Sequence, residues 1–441
     1  MTRAAPTFGD LSDGRPARAP YRNVRQPSRR VSARKDAIAA GLVALVLMST
    51  LAAGGTPPLV WALIALAVGG MGLIAGFVIP KARKPGGRGI SLLLLAGLLL
   101  CGFGLLQVAI AHLPLAERPL DLPDRHLMLR PGSLSPDATL LAVMRGAAAV
   151  MFLWLMLCVA GNPARARAIA LALFAGIAVQ ALWSLMLLGP LAEGHISAYP
   201  GSAVGTFVGR NGLATFLGIG LVLGLALLPS GRKAPALWIG LAVIGIALLS
   251  TQSRMGLAAT GTAALALLVY RRPGWRGGAA LALGALGVAM IFGQGVAERT
   301  VWLAAARDTR FELYAQVWQM IAARPLTGFG LDSFPLAFEI FHRAPVPAEM
   351  VWDRAHSTYL TLWAEAGLLA GSLPPLAGVL ALVLLHRRRA APLAVAATAA
   401  LVLSGLHSLV DFSLEIPANL FLLLALVGLG LGGAPRKRMT S

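Results

Sequence analysis

In a 441-residue chain with only 13% charged residues, an arginine or histidine beside a long apolar run is conspicuous. A charge taken into hydrocarbon without a partner costs several kcal/mol, so such residues tend to have work to do. Arg210 opens one apolar run, in Gly209-Arg210-Asn211-Gly212, and Arg254 ends the short turn Ser250-Thr251-Gln252-Ser253-Arg254. Two guanidiniums at the mouth of a helix bundle suit a phosphate or pyrophosphate, which their planar forks hold bidentately. The alternative is that each snorkels to lipid headgroups or pairs with a carboxylate. His356, in Trp352-Asp353-Arg354-Ala355-His356-Ser357-Thr358-Tyr359, is the candidate general base. An ordinary imidazole, with a pKa of about 6.5, takes a proton from a hydroxyl near neutral pH. Its structural alternative is to cap the helix that follows.

Further polar residues surround these three in the sequence. His407 and Asp411 are spaced i, i+4 and share one helical face, where they orient a substrate or satisfy each other. Arg145 lies a turn or two inside the fourth apolar run and either reaches the same site or snorkels. Asp332 and Asp353 read as turn or salt-bridge carboxylates. Glu365 follows His356 by nine residues, about half a turn around a regular helix, so a His356–Glu365 dyad is not expected. Glu365 then reads as structural or as part of a second polar layer. No HExxH, Walker A loop, GxGxxG or zinc spacing is present. His112, His126, His195, His342 and His386 also lack metal-ligand spacing, so neither a metal nor a cofactor is expected.

The elements that must hold these groups are membrane helices. The chain is 57% hydrophobic with a mean hydropathy of +0.74, and carries about half the charge of a soluble domain, which is typically about 25% charged. That excludes an ordinary soluble enzyme or a disordered chain. Cys101 and Cys158 both sit in apolar runs, which excludes a disulfide-stapled module. Crossing ~30 Å of hydrocarbon takes about 20 residues. Such runs fall near 37–55, 59–79, 90–112, 140–161, 166–189, 212–228, 235–250, 256–270, 277–294, 366–385, 391–410 and 416–433. The fold expected is an all-α integral membrane protein of about twelve transmembrane helices.

Charge sorting orients it. With both ends cytoplasmic, the inner segments hold 26 of the 38 Lys/Arg residues against three acids, as the positive-inside rule requires. The net charge of +20 therefore reflects basic groups placed between apolar runs. That pattern fits membrane lipids and not nucleic acid. The organisation read is a basic cytoplasmic tail (1–36), helices one to nine (37–294), a long outer loop (295–355), helices ten to twelve (356–433) and a cytoplasmic tail (434–441). Within the loop, Phe311, Tyr314, Val317, Trp318 and Ile321 recur at helical spacing, so 307–323 reads as an amphipathic helix on the membrane face. Pro325 and Gly328-Phe329-Gly330 end it.

Several of these stretches resemble the O-antigen ligase/polymerase superfamily. The first is Arg310-Phe311-Glu312-Leu313-Tyr314 … Trp318 … Pro325-Leu326-Thr327-Gly328-Phe329-Gly330-Leu331-Asp332-Ser333-Phe334. The second is Ala355-His356-Ser357-Thr358-Tyr359-Leu360 … Glu365-Ala366-Gly367-Leu368-Leu369. Gly209-Arg210-Asn211-Gly212 and Ser253-Arg254-Met255-Gly256 fit its two outward arginine positions, and His407-Ser408-Leu409-Val410-Asp411-Phe412 is similar too. The likeness runs from about 199 to 430.

This resemblance implies a GT-C-like membrane glycosyltransferase of the bacterial inner membrane with its site facing the periplasm. The donor would be a glycan on a polyprenyl (undecaprenyl) pyrophosphate carrier. Arg210 and Arg254 would bind the pyrophosphate, His356 would activate the acceptor hydroxyl, and Arg310 would assist the donor site or stiffen the loop. Inverting transfer without a metal is expected. The acceptor is either another carrier-linked repeat unit, making the protein a polymerase of surface polysaccharide, or lipid A-core, making it a ligase. A lipid-linked glycan transporter or flippase is the more remote alternative. Against it, major facilitator proteins carry a longer cytoplasmic linker at their midpoint, whereas here the long loop is outside.

Overall fold

Proline and serine punctuate the apolar runs. Pro58, Pro136, Pro163, Pro235, Pro392 and Pro417 each open a helix, where the missing N–H is not needed and φ is already helical. The computed structural model describes residues 29–79, 85–122, 124–188, 199, 201–229, 234–271, 309–349 and 351–432. In these, helices α1 to α8 are Arg29–Leu51, Pro58–Val78, Arg88–His112, Pro136–Val159, Pro163–Met186, Arg210–Leu227, Pro235–Ser250 and Arg254–Arg271. Helices α9 to α14 are Thr309–Ala323, Phe334–Phe341, Thr358–Gly371, Leu373–His386, Pro392–His407 and Pro417–Gly432. Among the described residues, five helices (α2 to α6) are long and apolar enough to cross a membrane. Counting the bent pair α11–α12 as one span makes six. The protein is a multi-pass helical membrane protein.

Helices lie under the expected runs wherever the chain is described. The run at 277–294 and most of both tails lie outside the described residues. Two expectations need correction. The run at 366–385 is not one helix: α11 begins eight residues earlier, at Thr358, and meets α12 at a bend of 68°. The break follows from Gly367, whose φ of +74° leaves the helical region, a conformation glycine adopts without steric cost. Second, the fold is not purely helical. Strands β1 (Arg118–Leu122) and β2 (Arg125–Leu129) pair antiparallel in the connection between α3 and α4.

Along α9 the expected stripe divides between burial and exposure. Leu313, Val317, Met320 and Ile321 are buried against Phe329, Phe334, Phe338 and Phe341, making a small core of its own. Phe311 and Trp318 stay 73% and 49% exposed. Tyr314 packs partly buried on the same core, and Trp318 rests against Trp363 of α11, with ring centroids 5.8 Å apart.

α6 is the axis of the bundle. Nearly all of it is buried, against α5, α7, α8, α13 and α14. Gly218, Gly220 and Gly224 let Thr260, Ile177 and Phe174 come into direct contact with its backbone, the close approach that small residues allow between membrane helices. Its first residues, Arg210 and Asn211, are thereby delivered to the middle of one end of the bundle.

The Gly-Phe-Gly segment is wedged against α11. Phe329 N–H donates to the Ala364 carbonyl at 3.0 Å, and Gly330 N–H to that of Glu365 at 2.9 Å. Gln107, buried on α3, fastens the same junction. Its Nε2 donates to Thr327 O at 2.7 Å and Glu365 O at 2.8 Å, and its Oε1 accepts from Leu331 N–H at 3.2 Å. Gly328 has φ +61°, and a Cβ there would overlap the Glu365 carbonyl. We expect Gly328→Ala to destabilise the protein by roughly 2–5 kcal/mol, read as a lowered thermal midpoint in detergent. A wild-type midpoint would mean that this junction is looser than the geometry indicates.

Candidate active site

Two polar clusters meet at the end of the bundle that carries the α9–α10 segment. The first gathers around Asn211. Its Nδ2 donates to Asp411 Oδ1 at 2.7 Å, and its Oδ1 accepts from Ser253 Oγ at 2.8 Å. Arg210 and Arg254, chain neighbours of Asn211 and Ser253, are thus held side by side at the starts of α6 and α8. Arg210 lies over the Tyr199 ring at 5.4 Å. Neither arginine has an ion-pair partner among the described residues, and no acid occupies the first turn of either helix. Cations at helix N-termini face the positive end of the dipole, so both starts have an uncompensated attraction for an anion.

His356 enters from the other side. Thr358 N–H donates to the carbonyls of Ser408 and Asp411 at 3.1 and 3.3 Å, which brings the 352–358 segment onto the 408–413 turn. The Tyr314 hydroxyl donates to His356 O at 3.0 Å. The imidazole itself lies edge-on to Phe412 and Trp352, with centroids 5.3 and 5.9 Å away. Its Nδ1 is buried and makes no hydrogen bond. The helix-capping alternative falls to Ser357, whose side chain accepts from Leu360 N–H. His356 has φ +51°, an uncommon backbone for a residue with a side chain. Burial, then the charge of Arg310, hold its pKa below the usual imidazole value, against a smaller opposing pull from Asp411 and Asp353. It is therefore neutral at pH 7 and able to accept a proton.

His407 and Asp411 do not satisfy each other, because each has another partner. His407 Nδ1 is 2.7 Å from Thr215 Oγ1, and that hydroxyl bonds the Asn211 carbonyl at 3.2 Å. Asp411 takes Asn211 and Ser413. Arg310, in the first turn of α9, is close enough for its charge to reach both imidazoles.

The second cluster holds Arg145 and Asp332. Arg145 pairs with Asp332 and stacks over Trp61 at 5.5 Å. Arg354 joins Asp332 at 3.2 Å to Glu415 at 2.7 Å. The packing differs accordingly: α4, which carries Arg145, packs on α1, α2, α3 and α14, whereas α6 and α8 pack on each other and on α13. These charges line a largely apolar cavity of about 520 Å³ between α3, α4 and α11–α14. Its lining includes Glu365 but not Arg210, Arg254 or His356. Glu365 accepts Phe334 N–H at 3.2 Å at the start of α10, the second-layer role its spacing suggested. Sequence reading missed Arg354, Gln107 and Asn211 as organisers. Only Asn211 carried a signal, its place beside Arg210. Among the described residues no three His, Cys, Asp or Glu side chains form a metal-binding group.

These features are those of a multi-pass membrane protein with Arg210, Arg254 and a buried His356 on segments linked by hydrogen bonds at the ends of its helices. Residues 239–375, from α7 into α12, match the family described as O-antigen ligase, a match that supports an O-antigen ligase/polymerase-type membrane glycosyltransferase. The matched segment holds Arg254, Arg310, Asp332, Arg354, His356 and Glu365, and covers under half of the chain. Comparison with curated proteins gives no match.

Proposed function

We propose that the protein polymerises surface polysaccharide, moving a glycan from a polyprenyl pyrophosphate carrier to the hydroxyl of a carrier-linked repeat unit. The observation that carries this is the pair of guanidiniums at adjoining helix starts, without an ion-pair partner among the described residues, tied through Asn211, Asp411 and Thr358 to the segment that bears the buried His356 imidazole. In the reaction, the acceptor oxygen attacks the anomeric carbon as its C–O bond to the pyrophosphate breaks. The hydroxyl proton passes to His356, and the bond's electron pair leaves with the pyrophosphate. Arg210 and Arg254 neutralise that leaving group where its charge develops, so no metal is required. One displacement inverts the anomeric configuration. The setting is a twelve-span, GT-C-like bundle in a bacterial inner membrane, with both termini cytoplasmic and this site facing the periplasm.

The family description favours a second reading, ligation of finished polymer to lipid A-core. A deletion strain separates the two. A polymerase loss leaves single repeat units attached to lipid; a ligase loss leaves carrier-linked polymer accumulating and nothing attached. Purified protein reconstituted with lipid-linked oligosaccharide tests the class itself. A new glycosidic linkage is expected, and movement across the bilayer without linkage would overturn it.

A further inference from the structure

Asn211 carries no charge and does no acid–base chemistry, yet its two hydrogen bonds join the two segments that bear the arginines to the 408–413 turn, to which Thr358 ties the His356 segment. The direction of every bond in this joint is fixed by chemistry. The Asp411 carboxylate only accepts, so the Asn211 nitrogen must face it and the Asn211 oxygen must face Ser253. Ser253 then donates its hydroxyl proton to Asn211, while its oxygen accepts Gly256 N–H at 3.3 Å and caps α8. Ser413 donates to the second carboxylate oxygen of Asp411. The Asp411 carbonyl takes both Thr358 N–H and Thr358 Oγ–H at 3.3 Å, two residues beyond His356.

We infer that Asn211 is the positioning residue of this site, setting the spacing between the two arginines and the His356 imidazole. The inference rests on the transferase reading above. Apart from this joint, α6 and α8 meet through apolar and small residues such as Ala214, Gly218, Gly256 and Thr260, contacts that tolerate sliding. The joint is directional and therefore sets register. Because α6 is gripped along its whole length, Asn211 is anchored on the most rigid helix of the bundle. A misplacement of 1 Å in such a constellation costs on the order of 10²-fold in rate.

The experiment is Asn211→Asp, a near-isosteric change that puts a carboxylate oxygen against Asp411, together with the exchange Asn211→Asp/Asp411→Asn. In the exchange, an amide at 411 donates to a carboxylate at 211, Ser253 and Ser413 still donate as before, and the total charge is unchanged. Transfer from a lipid-linked oligosaccharide is measured alongside thermal midpoint. Asn211→Asp is expected to lose about 10²-fold in kcat with raised KM for donor, at an unchanged folded fraction, and the exchange to recover at least tenfold. Near-wild-type activity in Asn211→Asp, a loss matching a loss of folded protein, or an exchange as inactive as Asn211→Asp would each overturn the inference. His356→Ala, run beside them, separates the two levels. If it alone is inactive, the transferase reading stands and the positioning role fails; if it is fully active, the reading beneath has failed.

Discussion

His356→Ala is expected to lower glycosyl transfer by about 10²–10⁴-fold, the usual contribution of a positioned general base, while the protein still folds in the membrane. The imidazole makes little that the fold depends on: among the described residues its Nδ1 has no hydrogen-bond partner, and its ring lies edge-on to Trp352 and Phe412. Alanine at φ +51° does carry backbone strain of about 1–2 kcal/mol. His356→Asn, which tolerates that conformation better, keeps the test clean and should be equally inactive. Wild-type rates in both variants would remove the base assignment.

The pH profile adds a signed expectation. A base whose pKa is lowered in the folded protein stays neutral below the ordinary imidazole value. The acid limb of kcat/KM should therefore fall below about pH 6.5, and activity should be lost only as pH drops through the lowered pKa. Burial is the largest cause and Arg310 the next. Arg310→Ala should shift the limb part of the way back up. Asp411→Asn removes an opposing charge and should shift it further down.

Much of the fold could be read from the sequence because hydrocarbon imposes one rule, runs of about 20 apolar residues. The α5 and α7 boundaries follow from Pro163 and Pro235 for that reason. The broken helix at Gly367 was not legible, since glycine is common in membrane helices and nothing local distinguishes the one that bends. The hairpin at 118–129 hid in a segment whose Pro and charges read as loop. For the site, type and spacing picked out His356, Arg210 and Arg254, because a charge at an apolar boundary is rare. Partners were another matter. The spacing of His407 and Asp411 read as one helical face, yet α13 ends at His407, and Thr215 and Asn211 claim the two residues from α6, some 200 residues earlier. Arg145 was grouped with the other arginines by depth alone, and helix packing sends it to Asp332 instead. Sequence spacing reports neighbours on one helix; it is silent on which helix lies across.

Arg210→Ala and Arg254→Ala are each expected to cost about 10²–10³-fold in kcat/KM, the scale of removing one group that stabilises a developing anion. Lysine at either position should recover only part of it, because an ammonium restores the charge without the bidentate fork. Stability should respond in the opposite sense. Each guanidinium stands at the positive end of a helix dipole with no carboxylate paired to it among the described residues, an arrangement that costs roughly 0.3–1 kcal/mol. Removing it should leave the thermal midpoint unchanged or slightly raised. An arginine kept only to snorkel or to pair with a carboxylate would behave the other way, losing stability and sparing turnover. Adding inorganic pyrophosphate should raise the wild-type midpoint, and raise it less in either variant, since only the folded state presents both helix starts together. Unchanged activity with a lowered midpoint would take the pyrophosphate away from these two residues and leave His356 without a leaving-group partner.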